Sequence, residues 1–449
     1  MTSDSKAHDA YAAWRFPSFR LFLMGRFLFL MGTAAQGLAI GWEIYNRTDD
    51  PFQLGLVALV KGLPMILFTL PAGWIADTFD RRKVMIFSMC GATVTSLALA
   101  WFSWIEGSLW IMFSLLFMDS TFARIGGPSG SAIMPLLLPR HIFENGIKWQ
   151  TNLFQFTSLC GPALGGLLLS WPTEASYLVR GIGRVFGPVG RRFTDLWLSW
   201  QGQTPYLLCA GTSGVFILFL LRMKIPDAPR AKPGNMVMQV MEGIHFVWRR
   251  KVVLGAVSLD LFAVLFGGAV YLLPVFARDI IDVHPEGMRP ERMLGWLLAA
   301  PAAGALFTGV LLAHLPPIRK SGRAMLLGVF GFGVVTVCFG FSTNFWWSWV
   351  FLFFTGVFDN ISVVVRHTLV NLITPNEMRG RVSAVNSIFI GSSNELGGFE
   401  SGLVARLFTP VISVVSGGIA TMVVVMVWAG LFPRLRAFGS LADVQESEA

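Results

Sequence analysis

The chain has 449 residues, 54% of them hydrophobic and only 14% Asp, Glu, Lys or Arg, against about 25% charged in a typical soluble domain. With a mean hydropathy of +0.61, so few charges cannot cover a water-soluble globule of this size, and the apolar content excludes disorder. The formal net charge is +9, but the basic residues border apolar runs, which points to membrane topology rather than to nucleic acid.

The chain opens on a polar stretch, residues 1–13, without a short apolar run and cleavage site, so a removable signal peptide is not expected, and 1–18 read as a cytoplasmic N-terminus. A membrane helix needs roughly 20 apolar residues. Such runs fall near 19–45, 51–76, 84–105, 108–134, 146–171, 205–221, 252–276, 293–315, 324–342, 345–370, 383–407 and 410–432. The expectation is an all-α membrane protein of twelve transmembrane helices. Six lie within 19–221 and six within 252–432. A cytoplasmic linker at 222–251, with Pro226, Pro229 and Pro233, joins them, and a tail follows at 433–449. Lys and Arg in the loops on the side of the termini outnumber those on the other side by more than two to one, which predicts cytoplasmic termini; the expected location is the cell inner (plasma) membrane. Pro139, Gly161 and Gly166 recur at one fixed offset as Pro375, Gly397 and Gly402. That suggests parallel repeats, one per half. Residues 172–204 read as an amphipathic segment at the outer interface, broken near Gly187-Pro188, with Ile182, Phe186, Phe193 and Trp197 on one face and Arg180, Arg184 and Arg191 opposite. Cys90, Cys160, Cys209 and Cys338 each lie in an apolar run, as small buried hydrophobes do. No metal site or cofactor is expected.

Ionisable residues inside a span are costly and should face a cavity or a partner. Spans 3, 6, 9 and 12 have none in their interiors, which suits outer, lipid-facing positions. The candidates for a proton-coupling or substrate-cavity role are Arg26 and Gln36 in span 1, Lys61 in span 2, and Asp119 and Arg124 in span 4. Asp260 and Tyr271 in span 7, Asp359 and Arg366 in span 10, and Glu395 and Glu400 in span 11 complete the set. Asp359, Ser362 and Arg366 share a helical face, and so do Asp260, Gly267 and Tyr271. A carboxylate in such a path can neutralise an arginine, bind a cation or take up a proton, and the sequence leaves these open. Glu43, near the outer interface, reads as an aqueous group. Gly267-Gly268 and Pro274 make span 7 easy to bend.

After span 2 stands Gly73-Trp74-Ile75-Ala76-Asp77-Thr78-Phe79-Asp80-Arg81-Arg82-Lys83. Asp77 is expected near the positive N-terminus of the next helix, with Arg81 and Arg82 pairing with carboxylates. Gly73, Asp77, Arg81 and Arg82 resemble the signature loop of the major facilitator superfamily, while Thr78 and Asp80 depart from it. In span 5, Gly161-Pro162-Ala163-Leu164-Gly165-Gly166 resembles the antiporter motif of the superfamily's exporters. Trp42-Glu43-Ile44-Tyr45, Leu63-Pro64, Thr374-Pro375, Arg379-Gly380-Arg381 and Asn394-Glu395-Leu396-Gly397 look like the branch that holds the enterobactin exporter and the transmembrane secretion effectors.

That resemblance covers nearly the whole chain. It implies two pseudo-symmetric six-helix halves rocking about a midplane site, and proton-driven export of a small amphipathic molecule, drug- or siderophore-like. It implies no enzyme activity. The partners it implies are a small-molecule substrate, protons and the lipid bilayer, with no nucleic acid, and the chain is expected to be a monomer. An importer or lysophospholipid flippase of the same fold is the alternative, and a polytopic membrane enzyme or receptor the remote one. Span 1 lacks the mid-helix acid of some proton/drug antiporters, so coupling would use spans 4, 7, 10 or 11. Walker A, His-Glu-x-x-His and Gly-x-Ser-x-Gly patterns do not occur, so ATP-driven transport and these hydrolytic mechanisms have no support.

Overall fold

A computed structural model of the chain describes residues 11–185, 200, 202–226, 236–316, 320–375 and 378–439. Its long helices are α1 (Pro17–Thr48), α2 (Pro51–Thr78), α3 (Arg81–Trp104), α4 (Leu109–Leu137), α5 (Phe143–Val185) and α6 (Thr204–Arg222). Then come α7 (beginning as Lys251–Phe266), α8 (Pro290–His314), α9 (Ser321–Gly340), α10 (Phe345–Ile373), α11 (Arg379–Leu407) and α12 (Pro410–Leu431). Among the described residues, 11 segments are long and apolar enough to cross a membrane. The twelfth helix, α11, has 29 residues and is more polar, carrying Asn386, Asn394, Glu395 and Glu400.

The helices start where the sequence supplies a cap. In hydrocarbon or at its edge, an unpaired amide has no water to turn to. Asp50 accepts from Phe52 N at the start of α2, Asp80 from Arg82 N and Lys83 N at α3, Asn344 from Trp346 N and Trp347 N at α10, and Thr409 from Ile412 N at α12. Pro17, Pro51, Pro205 and Pro290 occupy first-turn positions, where their missing amide costs nothing.

α7 bends where expected. Its first part ends at Gly267, a 3-10 turn follows (Gly268–Leu272), then Leu273–Val275 and a π-helical turn (Phe276–Ile280). At Gly268 a Cβ would stand 2.3 Å from Ser401 Oγ and 2.6 Å from Gly397 O, so only glycine lets the broken helix lie this close to α11.

The neighbour order gives the architecture. Around the first half it runs α5, α1, α6, α3, α4, α2, and around the second α11, α7, α12, α9, α10, α8, the same order shifted by six helices. The halves meet along α2–α11 and α5–α8. The recurring glycines sit at matching places. Gly161 packs on α1 and Gly397 on α7, whereas Gly166 packs across the halves on α8 and Gly402 across them on α2. α3 and α12 present exposed apolar stripes, among them Phe87, Val94 and Trp101, and Ile412, Ile419, Val423 and Met426. In water these would be oversized patches, but lipid tails solvate them.

The two ends of the bundle differ. At the end that carries the termini, each half has its own apolar cluster, one around Phe19, Met85, Ile133 and Phe216, the other around Val253, Met325, Leu369 and Val385. At the far end a single cluster joins Leu38, Trp42, Tyr45 and Leu54 of the first half to Leu272, Phe276, Leu294 and Leu297 of the second. The membrane-crossing part of α5 is Phe143–Ser170, close to the expected span, but the helix runs on past it. The backbone stays helical from Phe143 to Val185, 43 residues, so the first part of the expected amphipathic segment continues this helix. Beyond it, residues 186–199 and 201 of the expected amphipathic segment lie outside the described residues, as does its Gly187-Pro188 break.

Candidate functional site

The far end is closed by contacts between the halves. Arg278, in the π-helical turn that ends α7, reaches Asp49 Oδ1 at 2.5 Å and Asn46 Oδ1 at 3.1 Å, with its guanidinium 4.2 Å from the centroid of the Tyr45 ring. Tyr45 in turn donates its hydroxyl hydrogen to Asp279. On the other flank Arg406 pairs with Asp50 at 3.4 Å and lies 5.1 Å over Phe52, which itself faces Phe399 at 5.9 Å. Below these clasps, small residues let the backbones touch. A Cβ on Gly402 would stand 2.7 Å from Gly55 Cα, one on Gly398 2.6 Å from the Ala58 Cβ, and one on Gly62 2.6 Å from the Glu395 Cβ. Met65 against Gly391 is the last contact of this series toward the termini end.

A cavity of about 490 Å³ adjoins that last contact, lined by Met65, Arg124, Tyr271, Ser387, Ile390, Gly391, Asn394 and Glu395. It draws on both halves. Arg124 comes from α4, and Tyr271 donates its hydroxyl hydrogen to Glu395 Oε2 at 2.9 Å between α7 and α11. Arg124 Nε is buried without a hydrogen-bond partner among the described residues. Arg124 stands about 22 Å along α4 from its far end, near the middle of that 29-residue helix.

The sequence candidates separate into groups. Arg124, Tyr271 and Glu395 line the cavity. Asp119 lies within the first half, where Thr95 Oγ1 donates to it at 2.8 Å and Gln36 Nε2 at 3.3 Å, and Lys61 acts on it through space. Asp260 and Arg366 form a buried ion pair between α7 and α10, away from the cavity lining. Asp260, Gly267 and Tyr271 therefore do not share a site, because the 3-10 turn after Gly267 breaks the helical phase that their spacing assumed. Ser362 is buried on α10, while Asp359 has no hydrogen-bond or ion-pair partner among the described residues. Among the described residues Glu400 accepts a single long bond, from Ser401 Oγ at 3.4 Å. Arg26 lines a separate groove of about 280 Å³ between α1 and α5, with Leu23, Phe27, Leu30, Gln150 and Phe154.

Three local expectations change. Asp80 caps α3, while Asp77 belongs to the last turn of α2, so the residue that departs from the family pattern supplies the cap. Arg81 and Arg82 bond main-chain carbonyls, Ala132 O at 3.4 Å on α4 and Leu221 O at 2.5 Å on α6, instead of carboxylates. Glu43 is no aqueous group. It pairs with Arg47 and accepts from the buried Tyr206 hydroxyl at 2.6 Å. The far-end clasps escaped sequence reading, although charges flanking helix ends on both sides of a repeat were a usable signal.

The span-5 motif has a clear geometric role. Gly161 and Gly165 face α1, where Cβ atoms would meet the Ala34 Cβ at 2.5 Å and Ala35 Cα at 2.9 Å. Gly166 faces α8, its Cβ position 2.6 Å from Glu291 O, and the Pro162 carbonyl lies 2.8 Å from where a Gly295 Cβ would be. The motif thus wedges α5 between its own half and the other. In the signature stretch after span 2, Gly73 sits in the last turns of α2.

A family model described as transmembrane secretion effector matches residues 8–186 and 178–448. The chain belongs to that family. Among its curated relatives, the enterobactin exporter EntS of Escherichia coli O139:H28 (strain E24377A / ETEC) is 22% identical over 424 residues, 94% of this chain and 93% of the relative. EntS of Shigella boydii serotype 18 (strain CDC 3083-94 / BS512) matches to the same extent. Among solved structures, a bacterial homologue of the human lysosomal transporter Spinster, inward-facing and occupied, aligns with a TM-score of 0.70 at 14% identity over 94% of this chain and 97% of that one. The nucleoside transporter NupG aligns with a TM-score of 0.65 at 11% identity over 92% and 99%. The latter two show the fold. The chain is a multi-pass membrane transporter of the major facilitator type.

Proposed function

We propose that the protein exports a small amphipathic molecule, drug- or siderophore-like, across the inner membrane by alternating access, in exchange for protons, with both termini in the cytoplasm. The observation that carries this reading is the midplane cavity between the halves, closed toward the far end and holding Glu395 at its edge. Glu395 touches α2 across the seam at Gly62 and is hydrogen-bonded to Tyr271 within its own half. When the halves rock, the α2–α11 seam parts and this carboxyl exchanges close packing for water. A group whose surroundings change in this way changes its proton affinity, which is the requirement for coupling. The basic loops on the side of the termini support the cytoplasmic assignment, and the likeness to EntS supports export.

The test is flux of a fluorescent amphipathic reporter in proteoliposomes with an imposed pH gradient. Flux should follow the gradient and collapse in Glu395→Gln. Flux indifferent to the gradient, with Glu395→Gln, Asp119→Asn and Asp359→Asn all silent, would end the proton-antiport reading.

A further inference from the structure

We infer that the cargo is an amphipathic anion, a carboxylate, phosphate or ionised phenol on an apolar body, gripped by Arg124 of the first half with Lys61 adding to the positive field. The inference rests on the transport reading above and names the class of its cargo.

The charges inside the spans are not shared evenly. In the first half Arg26, Lys61 and Arg124 stand against Asp119, since Glu43 is matched by Arg47. Asp119 already takes two hydrogen bonds from neutral donors, Thr95 and Gln36. In the second half Asp260 consumes Arg366, which leaves Asp359, Glu395 and Glu400 acidic. The first half therefore holds surplus positive charge within its spans, and Arg124 is the member of that set that lines the cavity.

Arg124 carries that charge to the cavity. A guanidinium in the hydrocarbon zone needs a partner, yet its Nε is buried and unbonded among the described residues while the side chain lines the cavity. Glu395 lines the same cavity and forms no ion pair with Arg124 among the described residues, its carboxylate being held by Tyr271. The planar guanidinium matches a carboxylate or phosphate with two parallel hydrogen bonds. Met65, Ile390 and Gly391 beside it offer an apolar wall, so head and body of an amphipath each find a surface. A cationic cargo fits less well. Among the described lining residues its one acidic anchor is Glu395, which shares the cavity with the Arg124 guanidinium.

The experiment measures binding of three naphthalene probes to the purified full chain by equilibrium dialysis: 2-naphthoate, neutral 2-naphthylmethanol and 2-naphthylmethylammonium. 2-Naphthoate should bind best. Arg124→Gln should weaken it about 10- to 100-fold, Lys61→Gln several-fold less, and Arg124→Lys should restore part of the loss while the neutral probe is unchanged throughout. The restoration and the unchanged neutral probe separate lost recognition from lost folding. Lysophosphatidic acid run in parallel identifies the source of the anion. Tighter binding than 2-naphthoate points to lipid and weaker binding to a soluble organic acid, and an Arg124 dependence of either supports the inference. Preference for the ammonium probe, absence of discrimination among the three (no binding included), or 2-naphthoate binding untouched by both Arg124→Gln and Lys61→Gln would overturn it. The two proposals fail separately. Arg124-dependent anion binding with gradient-independent flux sinks proton antiport alone, whereas gradient-driven flux of a preferred cation sinks the anion assignment alone.

Discussion

Gly402 shows how much of the transport cycle rests on single atoms. A Cβ there would meet Gly55 N and Cα, each at 2.7 Å, and both are backbone atoms that cannot rotate away. Gly402→Val should therefore oppose the closed far end by about 1–3 kcal/mol. Spin labels at Glu106→Cys and His284→Cys, exposed on opposite halves, should report a longer far-end distance in that variant. Gly380→Ala, where a Cβ meets nothing within 4 Å, should leave it unchanged. An unaltered distance in Gly402→Val would remove the seam from the account. Asp260 and Arg366 make a different residue-scale case. Removing one partner of a buried pair strands a charge, so Asp260→Asn should cost about 3–5 kcal/mol, and replacing both by leucine should recover much of it. Thermal unfolding of the purified protein checks this. A single variant as stable as the wild type would return the pair to the list of coupling candidates. Both positions were visible as intramembrane oddities in the sequence. Their partners were not, because α7 meets α10 and α2 meets α11 only after the chain has folded.

Among the elements, α7 and the loop after α2 mark what patterning can and cannot reveal. Gly267-Gly268 and Pro274 announced the break, since two residues without helix preference and one without an amide act locally. What the break does to facing was lost, and Tyr271 turned to Glu395 while Asp260 turned to Arg366. Likewise the Asp-rich stretch at 77–80 signalled a helix start, but only the backbone geometry chose Asp80 as the cap. The far-end clasps join helix termini of opposite halves, so they belong to this scale. Arg278 with Asp49 and Arg406 with Asp50 are partly solvent-exposed, and each contributes about 0.2–1 kcal/mol. Arg278→Glu and Arg406→Glu together should shift the halves toward far-end opening by about twofold to tenfold. The same spin-label pair should show the longer-distance population grow, and salt should narrow the gap between variant and wild type. A population that ignores both variants would make the clasps ornamental.

At the scale of the whole molecule the asymmetry between the ends matters most. One apolar cluster binds the halves at the far end, and two separate clusters leave them apart at the other. The twelve-helix plan and the outer positions of α3 and α12 were legible because lipid imposes length and apolarity on each span separately. The cavity was only partly legible. Arg124, Tyr271 and Glu395 were anticipated, but Met65, Ser387, Ile390 and Asn394 carry no charge to betray them and depend on how two remote helices cross. The central claim is that this seam cavity is the transport path, open to one side at a time. It is tested most directly by a cysteine at Asn394, in a chain freed of its four native cysteines, challenged with a membrane-impermeant maleimide from either face of oriented vesicles. The account predicts labelling from the side of the termini at rest, and labelling from the far side once cargo and a proton gradient drive turnover. A cysteine that reacts from neither side, or that never changes sides during turnover, would contradict it.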